Sequence, residues 1–257
     1  MKPESTLKNK VALVTGGGSG IGYAISRCLA QKGVKVLITD VADYGQSAAN
    51  DIGAEFLQYD LSKMDQVRDL AETALTTTGN IDILINNAGL QYISAVDTFP
   101  DDEWAKLIQI MLIAPFQLTK AVLPSMKKQQ WGRIINLSSI HGLVASPYKS
   151  AYVSAKHGII GLTKTVALEV GDYGITVNAI CPSYVRTPLT DGQIAAQATT
   201  RGIPEEEVIS KVMLEPAAIK QVIEPEEVAS LAMFLISNDA KSITGSSYSI
   251  DVGWTAR

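Results

Sequence analysis

The chain is poor in the residues that metal sites need: two cysteines and two histidines occur among 257 residues. Cys28 and Cys181 stand alone, without CxxC or Cys/His spacing, so no metal is expected and both read as small apolar residues of the interior. Positive charge is not in excess either. With 22 basic and 26 acidic residues the formal charge is -4 and the pI about 5.3. The chain thus lacks the basic footprint that nucleic acid or an anionic bilayer requires, which leaves small molecules as the expected partners. The polar start, MKPESTLKNK, is followed only by a short apolar run, so neither a signal peptide nor a membrane span is expected and the cytoplasm is the default. Low-complexity tracts and internal repeats are missing. A hydrophobic fraction of 46% with 19% charged residues describes an ordinary globular chain, and its length suits one domain, 1–257, with a large core.

What is present is a regular alternation. Short β-rich runs, VALVT (11–15), VKVLITD (34–40), AEFLQYD (54–60), IDILINNAG (81–89), GRIINLSS (132–139), GITVNAICP (174–182) and SSYSID (246–251), are separated by longer amphipathic stretches. Runs this apolar suit strands buried on both faces of a parallel sheet, with the intervening stretches as crossover helices. The expectation is an α/β protein: a Rossmann-type, doubly wound parallel sheet of about seven strands with helices on both faces. The segment 188–216 is the longest irregular candidate, and an insertion there is expected to form a lid.

The glycines of TGGGSGIG (15–22) fall where the first strand ends and a helix begins. Gly16, Ser19, Gly20, Ile21 and Gly22 there allow a sharp turn and bring backbone N–H groups and a helix N-terminus against a pyrophosphate. Asp40, at the end of the next strand, accepts hydrogen bonds from an adenosine ribose and repels a 2′-phosphate, which favours NAD over NADP. Asn87 and Gly89 of NNAG reach the carboxyl edge of the sheet, where ligands of open α/β sheets bind; alone they are equally an asparagine-glycine turn. Asp60 ends the third strand at the same edge and serves either the adenine or the cap of the following helix.

The stretch 138–158, SSIHGLVASPYKSAYVSAKHG, carries both histidines. Tyr152 and Lys156, four residues apart, share one face of a helix expected to begin near Ser150. A free phenol titrates near about 10, too high for a base at neutral pH, and a neighbouring ammonium, helped by a positive nicotinamide, stabilises the phenolate and lowers that value. Ser139, at a strand end, can donate to a reacting oxygen.

Together, TGGGSGIG, NNAG, the strand-end serine and YVSAK resemble the short-chain dehydrogenase/reductase family across essentially the whole chain. The resemblance implies Ser139, Tyr152 and Lys156 as the catalytic set, with Tyr152 and Lys156 also touching the nicotinamide cofactor. It adds Leu61, Pro182, Val185 and Thr187 to the cofactor site. The segments GLQYISA, IHGLVASPYKSAYVSAKHG, ICPSYVRTPLTDGQI and GWTAR are similar to family members that oxidise a small 3-hydroxy acid to its 3-oxo acid with NAD, usually as homotetramers. Those members imply Gln91, His141, Lys149 and Gln193 as carboxylate-binding residues. This choice also makes chemical sense, since a short anionic acid needs several donors converging on two oxygens. His157 is given no role. The alternatives are a reductase of another small carbonyl or sugar-like substrate, and an NAD sensor without turnover.

Two positions depart from the family pattern. Met111 stands where an asparagine is usual inside the helix after NNAG, which puts the proton route in question, and Pro182-Ser183 replaces the usual Pro-Gly.

Overall fold

The structure, a computed structural model, describes residues 7–256. Residues 1–6 of the polar N-terminal segment, and Arg257, lie outside the described residues.

Seven strands form one sheet: β1 (Val11–Thr15), β2 (Lys35–Asp40), β3 (Glu55–Gln58), β4 (Ile83–Asn86), β5 (Gly132–Leu137), β6 (Ile175–Pro182) and β7 (Ser247–Ile250). Their order is β3-β2-β1-β4-β5-β6-β7, with every pair parallel. All seven coincide with the runs expected from the sequence. The ladders of β4 and β5 stop at Asn86 and Leu137, so Asn87–Gly89 and Ser138–Ser139 emerge as loops at the carboxyl edge. Strand order reverses between β1 and β4, the place where doubly wound sheets open a ligand crevice.

The helices are α1 (Gly20–Gln31), α2 (Tyr44–Ile52), α3 (Met64–Thr78), α4 (Asp101–Ile108), α5 (Ala114–Gln129), α6 (Ser150–Val170), α7 (Pro188–Arg201), α8 (Glu205–Val208) and α9 (Pro225–Ile236). Successive strand residues point to opposite faces, so each strand feeds two cores. Leu13, Leu37, Leu84, Ile134 and Val177 pack with α3, α5 and α6. Val14, Ile38, Ile85 and Ile135 pack with α1, α2 and α9. Burial on both faces explains why the strands read as continuous apolar runs rather than alternating ones.

The run Asp101–Gln129 is long and apolar enough, by length and composition, to cross a bilayer. Here it lies against the sheet, with Leu107, Met111, Ala114, Leu118, Val122 and Met126 in the core. Its middle, Gln109–Ile113, is a π-helical turn.

Segment 188–216 is helical rather than irregular, which corrects the expectation. Pro188 opens α7 in the first turn, where its missing N–H costs nothing, and the Thr187 hydroxyl accepts the Thr190 N–H at 3.3 Å. The alanines of the segment are strong helix formers. The segment buries its own small cluster of Ile194, Val208 and Met213 against Tyr184 and Ile203.

Candidate active site

The carboxyl edge opens into a continuous cleft of about 370 Å³. Every residue named above for cofactor, substrate or catalysis lines it except Gly22. Gly22 is buried behind the loop, where a Cβ would stand 2.1 Å from the Gly16 carbonyl oxygen. Its lack of a Cβ lets α1 pack closely against the turn.

On the cofactor side, Gly16 has φ +61, and a Cβ there would meet the Asn87 amide at 2.9 Å. Asn87 holds the turn from the other side: its Nδ2 donates to the Thr15 and Gly16 carbonyls at 2.9 and 3.0 Å. The Thr15 hydroxyl in turn accepts the Asn87 and Ala88 N–H groups, each at 3.0 Å. Ser19 caps α1 with extended backbone but no side-chain bond, which leaves the first-turn N–H groups facing the cleft for an anion. Asp40 is fixed by two backbone donors, Gly18 N–H to Oδ2 and Ala42 N–H to Oδ1, both at 3.3 Å. Asp60 does not cap α3, whose N-cap is Lys63 without a side-chain cap bond. Asp60 lines the cleft while accepting the Ser62 N–H at 2.9 Å and pairing with Lys63 at 3.6 Å. The cradle fits a dinucleotide: a Cβ-free turn, an uncapped helix start and a carboxylate at the next strand end.

The catalytic candidates come from β5 and α6. Ser139, just past β5, accepts the His141 N–H at 3.1 Å on its hydroxyl; the same hydroxyl hydrogen-bonds Tyr152. One turn along α6, the Lys156 ammonium donates to the Leu137 carbonyl at 2.6 Å and lies 5.5 Å from the centre of the Tyr152 ring. Burial pushes Tyr152 up to about 12, with the Ser139 bond opposing the rise. Burial also pushes Lys156 down to about 8. The expected lowering of the phenol by Lys156 is therefore not a property of these two groups alone. Desolvation is the largest cause at both groups, and a positive charge brought beside the phenol would lower its value.

On the substrate side, Lys149 is only 6% exposed, and among the described residues no carboxylate pairs with it. Its Nζ lies 3.4 Å from His141 Nε2 and 5.8 Å from the centre of the Tyr184 ring. Burial lowers Lys149 to about 8. Burial, then the Lys149 charge, lowers His141 to about 4, so the imidazole is neutral. A neutral ring that accepts from the ammonium at Nε2 carries its proton on Nδ1. Gln91 Oε1 is buried with no hydrogen-bond partner among the described residues, and Gln193 reaches the cleft from α7.

Met111 sits in the π-helical turn, 2% exposed, its sulfur facing Gly89. Sequence reasoning missed two aromatic residues. Tyr184 stands under Lys149, and Trp254 meets the His141 ring edge-on at 5.9 Å while donating from Nε1 to the Met213 carbonyl at 3.2 Å. Trp254 is far from His141 in sequence, so no spacing could have linked them; the resemblance of the segment GWTAR was the available signal.

Residues 10–198 match the family model for short chain dehydrogenases. The chain belongs to the short-chain dehydrogenase/reductase family and is an oxidoreductase of the nicotinamide-dependent kind. It is similar to the D-beta-hydroxybutyrate dehydrogenase of Rhizobium meliloti (strain 1021), 46% identical over 96% of this chain and 99% of that one. It is also similar to the D-beta-hydroxybutyrate dehydrogenase of Cupriavidus necator, 42% identical over 98% and 100%. Among solved structures, the aldohexose dehydrogenase of Thermoplasma acidophilum superposes with a TM-score of 0.88 at 31% identity, covering 98% of this chain and 96% of its own.

Proposed function

We propose that the protein is a cytoplasmic, NAD-dependent D-3-hydroxybutyrate dehydrogenase that interconverts D-3-hydroxybutyrate and acetoacetate. The observation that carries this reading is Lys149: a buried ammonium beside the Ser139–Tyr152–Lys156 set, with no carboxylate partner among the described residues. A lone buried cation is costly unless a counter-ion joins it, and the carboxylate of a short hydroxy acid supplies one. Gln91 and Gln193 share the cleft as orienting donors, with His141 holding Lys149 in place.

The cradle from Gly16 to Ile21, with Asp40, would hold the dinucleotide; when bound, NAD supplies the hydride acceptor and a positive charge beside the phenol. Tyr152, protonated at neutral pH in this structure, gives its proton to the carbonyl oxygen during reduction and takes it back from the hydroxyl during oxidation. Ser139 donates to the same oxygen as charge develops there. Lys156, anchored on Leu137, stabilises the phenolate and reaches the ribose. Lys149 would hold the carboxylate, with His141 beside it, and so present the carbon that bears the hydrogen to the cofactor site. Segment 188–216 closes over the acid, bringing Gln193 with it.

The assembly we propose is a homotetramer, supported by the apolar side chains that the long helices leave outside, Phe116 on α5 and Leu168 on α6.

The test is NADH formation across enantiopure 3-hydroxy acids, neutral alcohols and sugars. D-3-Hydroxybutyrate should give the highest kcat/KM. A sugar or neutral alcohol ahead of every acid would overturn the reading in favour of another short-chain reductase.

A further inference from the structure

The turn that delivers Lys149 breaks two local rules in succession. Tyr148 has φ 66, in the left-handed region that a bulky residue rarely adopts. Lys149 follows with φ -127 and ψ 35 as the residue before α6, without a side-chain cap bond, and places an ammonium at the positive end of the helix. The side chains diverge: Tyr148 is 60% exposed while Lys149 is 6% exposed. Packing of the tyrosine ring therefore gives little in return for its backbone conformation. What the conformation does secure is a bond, because the Tyr148 carbonyl accepts the Ser94 N–H at 3.0 Å. Ser94 lies on the loop after β4 that also carries Gln91, and Gln91 and Lys149 line the same cleft.

We propose that Tyr148 is a positioning residue for acid recognition: its left-handed backbone, pinned by the Ser94 N–H, aims Lys149 into the cleft and locks the Lys149 turn to the Gln91 loop. Local strain held by a tertiary bond is the usual mark of a preorganised site. Pro147 fixes its own φ and cannot absorb the reversal. With residue 148 in an ordinary basin, the turn between Pro147 and Ser150 opens and the lysine leaves its buried place. The inference rests on the reading of Lys149 as the acid-binding group, and what it adds is the backbone device that holds that group.

Four variants separate backbone from ring. Tyr148→Asn and Tyr148→Gly accept the left-handed conformation, Tyr148→Val resists it, and Tyr148→Pro excludes it. Each is assayed for KM and kcat with D-3-hydroxybutyrate, for melting temperature, and for the rate at which an amine-acylating reagent labels Lys149, read by mass spectrometry. The Asn and Gly variants should keep KM and Lys149 protection, with the Asn variant melting at or above the parent. A left-handed residue is disfavoured by roughly five- to thirtyfold; Val should therefore raise KM severalfold and Pro at least about tenfold, with kcat little changed and Lys149 labelled faster in proportion. Parental KM and protection in both Val and Pro variants would overturn the proposal. A KM rise shared by all four would overturn it as well, by assigning the role to the ring. If the Pro variant does not fold, Val decides. An unchanged KM in Lys149→Ala defeats the acid reading instead; the labelling rates then judge the positioning alone, and protection in the Val and Pro variants would sink it.

Discussion

The Lys149 ammonium lies 3.4 Å from His141 Nε2, two basic groups held together inside the protein. They titrate on opposite sides of neutrality, Lys149 near 8 and His141 near 4, so between those values the site presents one positive charge and one neutral ring. As pH rises through about 8 the ammonium is lost and an anionic substrate loses its counter-ion. Lys156 and Tyr152 also titrate in the alkaline range, so the informative quantity is a ratio: kcat/KM for 3-hydroxybutyrate over that for its methyl ester. The ratio should be flat between the two values and fall above about 8. A ratio that holds steady through pH 9 to 10 (about one to two units above the group, where roughly a tenth or less stays charged) would remove Lys149 from recognition. Stability has its own sign. The folded-state values of Lys149 and Lys156 are lowered from 10.5 to about 8, so across that window the unfolded chain binds more protons and these groups make stability rise with pH. Tyr152, raised from 10.0 to about 12, opposes this from 10.0 upward.

Tyr152→Phe keeps the ring that packs against the core and removes the hydroxyl to which we assign proton exchange with the substrate oxygen. Turnover should drop at least about a hundredfold, in line with loss of an acid-base group. NADH binding, followed by fluorescence, should be little altered. Turnover near that of the parent, with cofactor still bound, would end the assignment.

Asp40 holds both carboxylate oxygens against backbone donors, Gly18 N–H and Ala42 N–H. The chain end of β2 therefore presents negative charge where a 2′-phosphate would need positive charge, and like charges at close range cost several kcal/mol. NAD should bind at least about tenfold tighter than NADP. Asp40→Ala removes the charge and frees the two N–H groups, so the preference should narrow or invert. Isothermal titration with both dinucleotides measures it; NADP binding as tightly as NAD to the parent protein would refute the selection by Asp40.

The strands were legible because sheet burial on both faces writes itself as apolar runs, and the cradle because a turn without Cβ atoms demands glycine. Ser139, Tyr152 and Lys156 were legible as types and spacing. Their electrostatics were not: the values of Tyr152 and Lys156 depend on how completely the fold desolvates them, which no spacing encodes. Segment 188–216 was misread because polar and alanine-rich residues serve a solvated helix as readily as a loop. Trp254 and Tyr148 went unnoticed because their roles lie in a long-range contact and a backbone angle.

Segment 188–216 sits beside the cleft, and Trp254, near the chain's end, donates from Nε1 to its Met213 carbonyl at 3.2 Å. The same ring meets His141 at 5.9 Å, so closure over the substrate and the state of the acid site share a residue. Amide exchange in 188–216 should slow when NAD and a 3-hydroxybutyrate analogue bind together, while β5 stays equally protected. Trp254→Phe keeps the edge contact and deletes the donor. A net hydrogen bond contributes about 0.5–1.5 kcal/mol, so opening of residues 209–213 should become roughly two- to tenfold more frequent, and exchange there should quicken by the same factor. The expected kinetic consequence is a higher KM for the acid with a smaller change in kcat, since a lid that opens more often holds substrate less well. Identical exchange in free, bound and Trp254→Phe forms would show a fixed helical rim, and the closing motion would have to be abandoned.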